Sequence, residues 1–265
     1  MVISKLPSKT LIIPDIHFRI EEVNKILNKE KDADLVIFLG DYFDNFKEIE
    51  KETIDTITFL KENLTNPRFV FLLGNHDVSY FYTNNRFCQC SGYTEFKNSL
   101  IRDILKPQDP KTISSFHFFA YFKDVLKNKW LLSHAGYSPF WGNLSSNKLV
   151  NFLQEEEKEA KKELSKNNNH WFIEAGYSRG GGAVVGGLTW LDWDWEFKEI
   201  PRLNQIVGHT PHNAPQYKIV KGTPHKTKQN VFLGSSYNLN LDTHSRHYAV
   251  FHDGKDLEVK ETPNI

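Results

Sequence analysis

No apolar run in this 265-residue sequence approaches the roughly 20 residues that a membrane-spanning helix needs, and the first residues lack the apolar region of a signal peptide. Excess charge is missing too. With 33 basic and 33 acidic residues the formal net charge is zero, so general attraction to nucleic acid or to an anionic membrane is not expected. Cysteine is nearly absent. Cys88 and Cys90 are too close in sequence for an unstrained disulfide, which makes reduced thiols in a cytoplasmic protein the expectation. The glycine-rich stretch Gly180–Gly187 is not followed by Gly-Lys-Ser/Thr, which excludes a P-loop and leaves a flexible or closely approached backbone. Internal repeats and interdomain linkers are also lacking. A single domain over residues 1–265 is expected, with a helical cap insertion around residues 145–185.

What is present is one local pattern used repeatedly. Leu35–Leu39 is a run of five apolar residues, a length that fits a buried strand, and it ends at Gly40-Asp41-Tyr42-Phe43-Asp44. Leu11–Pro14 runs into Asp15-Ile16-His17, and Phe69–Leu73 into Gly74-Asn75-His76-Asp77. Lys129–Ser133 ends at His134, and Gln205–Val207 runs into Gly208-His209-Thr210-Pro211. Helical spacing over Glu21–Glu30 and Glu48–Asn63 separates the first three strands, giving β-α-β-α-β and a parallel arrangement with right-handed crossovers. In such α/β sheets, ligands gather at the carboxyl ends of the strands. Further along, the pattern predicts a helix over Tyr93–Leu105, one strand over Phe116–Phe122, and a charged helix over Asn147–Lys166. Strands follow over Val231–Leu233, Leu239–Leu241 and His247–His252, with a hairpin turn at Asp253-Gly254.

Collected at the strand ends, Asp15, His17, Asp41, Asn75, His134 and His209 offer oxygen and imidazole donors. This mixture suits divalent manganese, iron or zinc. Asp41, on the central strand of the first three, has two carboxylate oxygens with which to bridge a pair of ions. Two ions about 3.5–4 Å apart can hold a hydroxide and clamp phosphoryl oxygens. His76 follows a ligand directly and suits a general acid for the leaving oxygen, and Asp44 is placed to orient its ring.

These motifs, in this order over about residues 11–252, resemble those of the calcineurin-like metallophosphoesterases. The forms Ser-His-Ala-Gly and Gly-His-Thr-Pro, with the late Leu239–Thr243 segment, are most similar to the phosphoprotein-phosphatase and diadenosine-tetraphosphatase branch. The resemblance implies an α/β four-layer α/β/β/α sandwich with mixed sheets. It implies Asp15, His17 and Asp41 on one ion, and Asp41, Asn75, His134 and His209 on the other, with His76 and Asp44 as acid and partner. It further implies hydrolysis of a phosphorylated protein or small phosphomonoester by a metal-bridging hydroxide. A nucleotide or dinucleoside-polyphosphate hydrolase and a non-catalytic scaffold of the same fold are the alternatives. The ions expected are manganese first, then iron, zinc, nickel or cobalt.

Asn45 and Leu73 stand where that branch carries phosphate-gripping arginines, so a bidentate grip must come from elsewhere. Arg19, Arg86, Arg179 and Arg202 are the candidates, and Phe18, standing where many relatives have glycine, is expected to shape the pocket wall. His244 and Arg246 follow the late segment and are candidates for substrate contact. His117, His170, His212, His225, His247 and His252 fall outside the motifs and fit packing or surface positions. Trp190, Trp193, Trp195 and Tyr177 fit an aromatic rim or core, and Asp192, Asp194 and Glu196, which alternate with these aromatics, would repel phosphate if exposed.

Overall fold

A computed structural model describes residues 1–45, 50–142, 144–145, 148–221, 223–224, 232–233 and 235–263. In chain order the elements are β1 (Val2–Ile3), β2 (Lys9–Ile13), α1 (Ile20–Lys29), β3 (Leu35–Phe38), α2 (Glu50–Asn63), β4 (Phe69–Leu72), α3 (Asn75–Phe81), α4 (Glu95–Ile104), α5 (Pro110–Ser114), β5 (Phe116–His117), β6 (Phe119–Lys123), β7 (Lys129–Ser133), α6 (Leu149–Ser165), β8 (Asn204–Val207), β9 (Gln216–Val220), β10 (Thr223–Pro224), β11 (Phe232–Leu233), β12 (Ser236–Asn240), β13 (His247–His252) and β14 (Asp256–Glu261).

Among the described residues these strands form two six-stranded sheets, ordered β14-β13-β2-β3-β4-β5 and β1-β6-β7-β8-β12-β9, and a small β10-β11 pair. Both large sheets are mixed. β2, β3, β4 and β5 run parallel, while β13 is antiparallel to β2 and β14 to β13. Strand periodicity explains how the sheets stack. Ile12, Ile37, Val70 and Leu72 point one way and join Ala120, Phe122, Leu132, Ile206 and Leu239 in a core between the sheets. The alternate residues Leu11, Ile13, Val36, Phe38 and Phe71 join the buried faces of α1, α2 and α4 in a second core. That core also takes in Tyr121 and Leu131 of the other sheet with Leu149, Leu153, Ala160 and Leu164 of α6. The result is the expected mixed sandwich flanked by helices.

Three local features differ from the sequence expectation. The single strand expected over Phe116–Phe122 is two, β5 and β6, which belong to different sheets. The chain crosses between them at Phe118, whose N–H donates to the Glu157 carboxylate at 2.7 Å. An unbroken apolar run carries no mark of such a crossing. The Gly74–Asp77 turn opens directly into α3, because Asp77 turns back to accept the Gly74 N–H at 2.8 Å. Phe18, expected to shape the pocket wall, is instead buried against Phe43. The Asp253-Gly254 hairpin is present, with both residues at positive φ between β13 and β14. The first residues of the helices expected from Glu48 and Asn147, with Val231 and His225, lie outside the described residues.

Candidate active site

The ends of both sheets converge on a cavity of about 630 Å³ lined by His17, Asp41, Asp44, Asn75, His76 and His209, together with Arg19, Arg179, Trp190, Asp242 and His244. Asp15 and His134 lie beneath it, fully buried. All eight sequence candidates are thus brought together. His17, Asp41, Asp44 and His209 have positive φ, a conformation uncommon for residues with a side chain and costly unless the surroundings enforce it. Here they do. Asp41 is pinned by its own N–H to Asp77 at 2.7 Å, and its carbonyl accepts from Ile16 and His17 at 3.0 and 2.8 Å. Gly74 and Gly208 are glycine for a steric reason: a Cβ at either would collide with a carboxylate, that of Asp41 or that of Asp15.

Backbone carbonyls fix the imidazoles. His134 Nδ1 lies 3.1 Å from the Leu39 carbonyl, so it carries the proton in the neutral ring. Nε2 is then an acceptor aimed at Asn75 Oδ1 (2.9 Å), His209 Nδ1 (3.1 Å) and Asp41 Oδ2 (3.3 Å). His17 repeats the arrangement. Its Nδ1 donates to the Asp44 carbonyl at 2.6 Å, leaving Nε2 3.7 Å from Asp41 Oδ2. Orienting a metal-binding imidazole through its other nitrogen is a common second-layer device.

Lone pairs facing lone pairs are what a bound cation resolves. Burial, with the nearby Asp242 and Asp41 charges, raises the Asp15 pKa. Burial also lowers the pKa of His209, helped by His134 and Arg179, and lowers that of His17 despite Asp41. Both rings are therefore neutral and free to coordinate. His209 Nε2 is buried without a hydrogen-bond partner. At His134 burial opposes charge, yet Asp41 and Asp15 outweigh it and push the pKa up to about 9, so the cluster attracts positive charge. Among the described residues, ligand atoms within 4.8 Å of one another occur in Asp15–His17–Asp41 and in Asp41–His134–His209, with Asp41 common to both. The donor set fits two divalent ions.

Beside this cluster, His76 Nδ1 lies 2.9 Å from Asp44 Oδ2, while Tyr80 and Lys97 each donate to Asp44 Oδ1 at 2.6 Å. Burial disfavours a charged His76, but Asp41, then Asp44 and Cys90, push its pKa up to about 12.

Of the four arginine candidates, Arg19 and Arg179 line the cavity. Arg19 has a buried Nη1 without a partner. Arg179 pairs through Nε with Asp192 at 2.8 Å and donates from Nη2 to Thr210 at 2.7 Å. Asp192 is buried, so the repulsion expected of an exposed acid does not apply; it holds an arginine instead. Arg86 lies over the Phe87 ring, 4.9 Å from its centroid, and Arg202 donates its backbone N–H to Ser235. Trp190 stands edge-on to His209 at 5.5 Å, while Trp193 is buried and Trp195 exposed. His244 faces the cavity. α6 contributes no lining residue among those described.

Asp77 and Asp242 belong to motifs of the sequence that assign them no role of their own. Asp77 accepts the N–H groups of Asp41, Tyr42 and Gly74, and so joins two motifs that are 35 residues apart. Its position directly after His76 was the available signal.

The calcineurin-like phosphoesterase family model matches residues 8–213. The chain belongs to this family. It is accordingly a metal-dependent phosphoric ester hydrolase. Two solved structures share the fold: a cold-active protein-tyrosine phosphatase of the psychrophile Shewanella sp., at 15% identity over 97% of this chain and 83% of that one, TM-score 0.53; and a protein serine/threonine phosphatase from Saccharomyces cerevisiae with similarity to human phosphatase PP5, at 13% identity over 97% and 80%, TM-score 0.51. At such identity the likeness concerns fold alone. No curated protein matches the chain in sequence. No helix among the described residues of this calcineurin-like phosphoesterase is long and apolar enough to cross a membrane.

Proposed function

We propose that this phosphoesterase is a dinuclear phosphomonoesterase acting on a phosphorylated protein or small phosphate ester. The observation that carries the reading is Asp41, whose carboxylate belongs to both ligand groups and so suits a bridge. Asp15 and His17 would complete one ion's ligands, and Asn75, His134 and His209 the other's. Manganese is the first choice, with iron, zinc, nickel or cobalt as alternatives. Two ions held there would supply a nucleophile at neutral pH and positive charge for the phosphoryl oxygens.

The chain's own residues do the rest. Arg179, fixed by Asp192 and Thr210, and Arg19, with a buried guanidinium nitrogen to satisfy, are placed to take the outer phosphate oxygens. They stand in for the arginines missing at Asn45 and Leu73. His76, held at Nδ1 by Asp44, keeps Nε2 for a proton to the leaving oxygen. A terminal phosphate offers three oxygens to two guanidinium groups, whereas a diester offers only two non-bridging ones. Comparing p-nitrophenyl phosphate with bis-p-nitrophenyl phosphate in manganese-loaded protein tests this. The monoester should be preferred, and Arg179→Ala should narrow the preference. A diester preference left unchanged by Arg179→Ala would overturn the reading.

Trp190 supports a second reading. Its ring flanks the cavity beside His209 and could stack on a nucleobase, favouring a nucleotide or dinucleoside polyphosphate. In that case Trp190→Ala should raise KM for the nucleotide and leave p-nitrophenyl phosphate unaffected.

A further inference from the structure

Cys90 sits against the acid dyad, and the hydrolytic chemistry has no use for it. Its sulfur lies 3.2 Å from His76 Nδ1, the nitrogen that also faces Asp44 Oδ2 at 2.9 Å, and Asn75 Nδ2 approaches it at 3.8 Å. The surrounding loop is anchored to α3: the buried Ser79 hydroxyl donates to the Cys88 carbonyl at 2.6 Å and accepts the Cys90 N–H at 3.1 Å. Asp44 Oδ1 is engaged by Tyr80 and Lys97, and Oδ2 faces the ring. One ligand atom from each of Asp44, His76 and Cys90 lies within 4.8 Å of the other two.

We propose that Asp44, His76 and Cys90 form a third metal site, selective for zinc, whose occupation switches the enzyme off. A thiolate, an imidazole and a carboxylate are a zinc donor set, and the soft sulfur disfavours manganese. Tetrahedral zinc bonds are about 2.3 Å to sulfur and about 2.0–2.2 Å to nitrogen and oxygen, which sets donors roughly 3.3–3.6 Å apart. The sulfur–Nδ1 and Nδ1–Oδ2 separations, 3.2 and 2.9 Å, therefore need to open by only a few tenths of an ångström. Binding releases the thiol proton of Cys90 and the Nδ1 proton of His76 to solvent. The zinc-bound ring keeps one proton, on Nε2, and surrendering it would leave an imidazolate in place of a neutral imidazole. The acid is thus disabled without disturbing the two-ion cluster. The binding site stands on geometry alone, while the loss of activity rests on the acid role proposed above for His76.

The test loads the protein with manganese, adds zinc, and follows bound metal by dialysis alongside turnover of a phosphomonoester. The wild type should take up one zinc more than Cys90→Ser, keep its manganese and lose activity. Cys90→Ser should stay active at the same zinc concentration. Cobalt in place of zinc should give a thiolate-to-metal charge-transfer band in the wild type that is missing from Cys90→Ser, a readout independent of turnover. Equal zinc uptake by both proteins, or equal inhibition with release of manganese from both, would overturn the proposal. An additional ion that depends on Cys90 yet leaves the rate intact would overturn the switch and, separately, the acid role of His76.

Discussion

The backbone N–H of His209 donates to both carboxylate oxygens of Asp15, at 3.1 and 3.0 Å, across 194 residues of chain. This bond ties the end of β2 in one sheet to the end of β8 in the other, on the floor of the site. It also holds a buried carboxylate beside Asp41 and Asp242, an arrangement that favours metal binding at the expense of the metal-free fold. Asp15→Asn keeps an acceptor for His209 and removes a charge. Its metal-free form should melt above the wild type, and manganese should raise its melting temperature less. Metal affinity should fall by more than the roughly 10–100-fold typical of an outer-layer change. Thermal melts with and without manganese check this; a metal-free variant less stable than the wild type contradicts it.

His76→Asn should lower turnover of an alkyl phosphate by about 10²–10⁴-fold with metal content unchanged. p-Nitrophenolate leaves readily without a proton, so the loss on p-nitrophenyl phosphate should be smaller. Equal losses on both substrates would point to a role other than proton donation.

The pH profile follows from the same ring. Asp44 favours the imidazolium, and the folded pKa of His76 is raised. An acid works while protonated, so activity is present below that pKa and fades as pH rises through it. Ions on Asp41 would cancel its part of the shift and leave that of Asp44. Asp44→Asn should therefore move the basic limb of the rate profile to lower pH, as a pH–kcat series would show. An unmoved limb would separate Asp44 from the acid.

Glu157 on α6 governs acid stability. Burial opposes its ionisation, but His117, the Met1 ammonium and Lys161 bring its pKa down to about 2 from 4.5. A depressed carboxylate stabilises the fold above its unfolded pKa, and this contribution is lost as pH falls through 4.5 towards 2. At about 1.4 kcal/mol per unit, its size is at most about 3 kcal/mol. Glu157→Gln should lower stability to urea near neutral pH and converge with the wild type in acid. Parallel curves at all pH values would contradict the assignment.

Much of this site was legible because apolar strands stop at fixed residue types. Asp15, Asp41, Asn75, His134 and His209 all stand within three residues of a strand end, where the parallel order sends them to one edge. What stayed hidden depends on contacts between segments distant in sequence. Nothing in the sequence marks Asp192 as the partner of Arg179, which immediately precedes the glycine-rich stretch. Nothing local in the sequence announces that the loop carrying Cys90 folds back onto His76. The break at Phe118 was equally silent, since both sheets accept the same apolar residues.

In the proposed dinuclear site Asp41 joins the two ions. Electron paramagnetic resonance of the stripped protein titrated with manganese tests it most directly. Two ions per chain with an exchange-coupled spectrum are expected, with loss of the coupling in Asp41→Asn. Two uncoupled ions, a single ion, or coupling that survives in Asp41→Asn would contradict it.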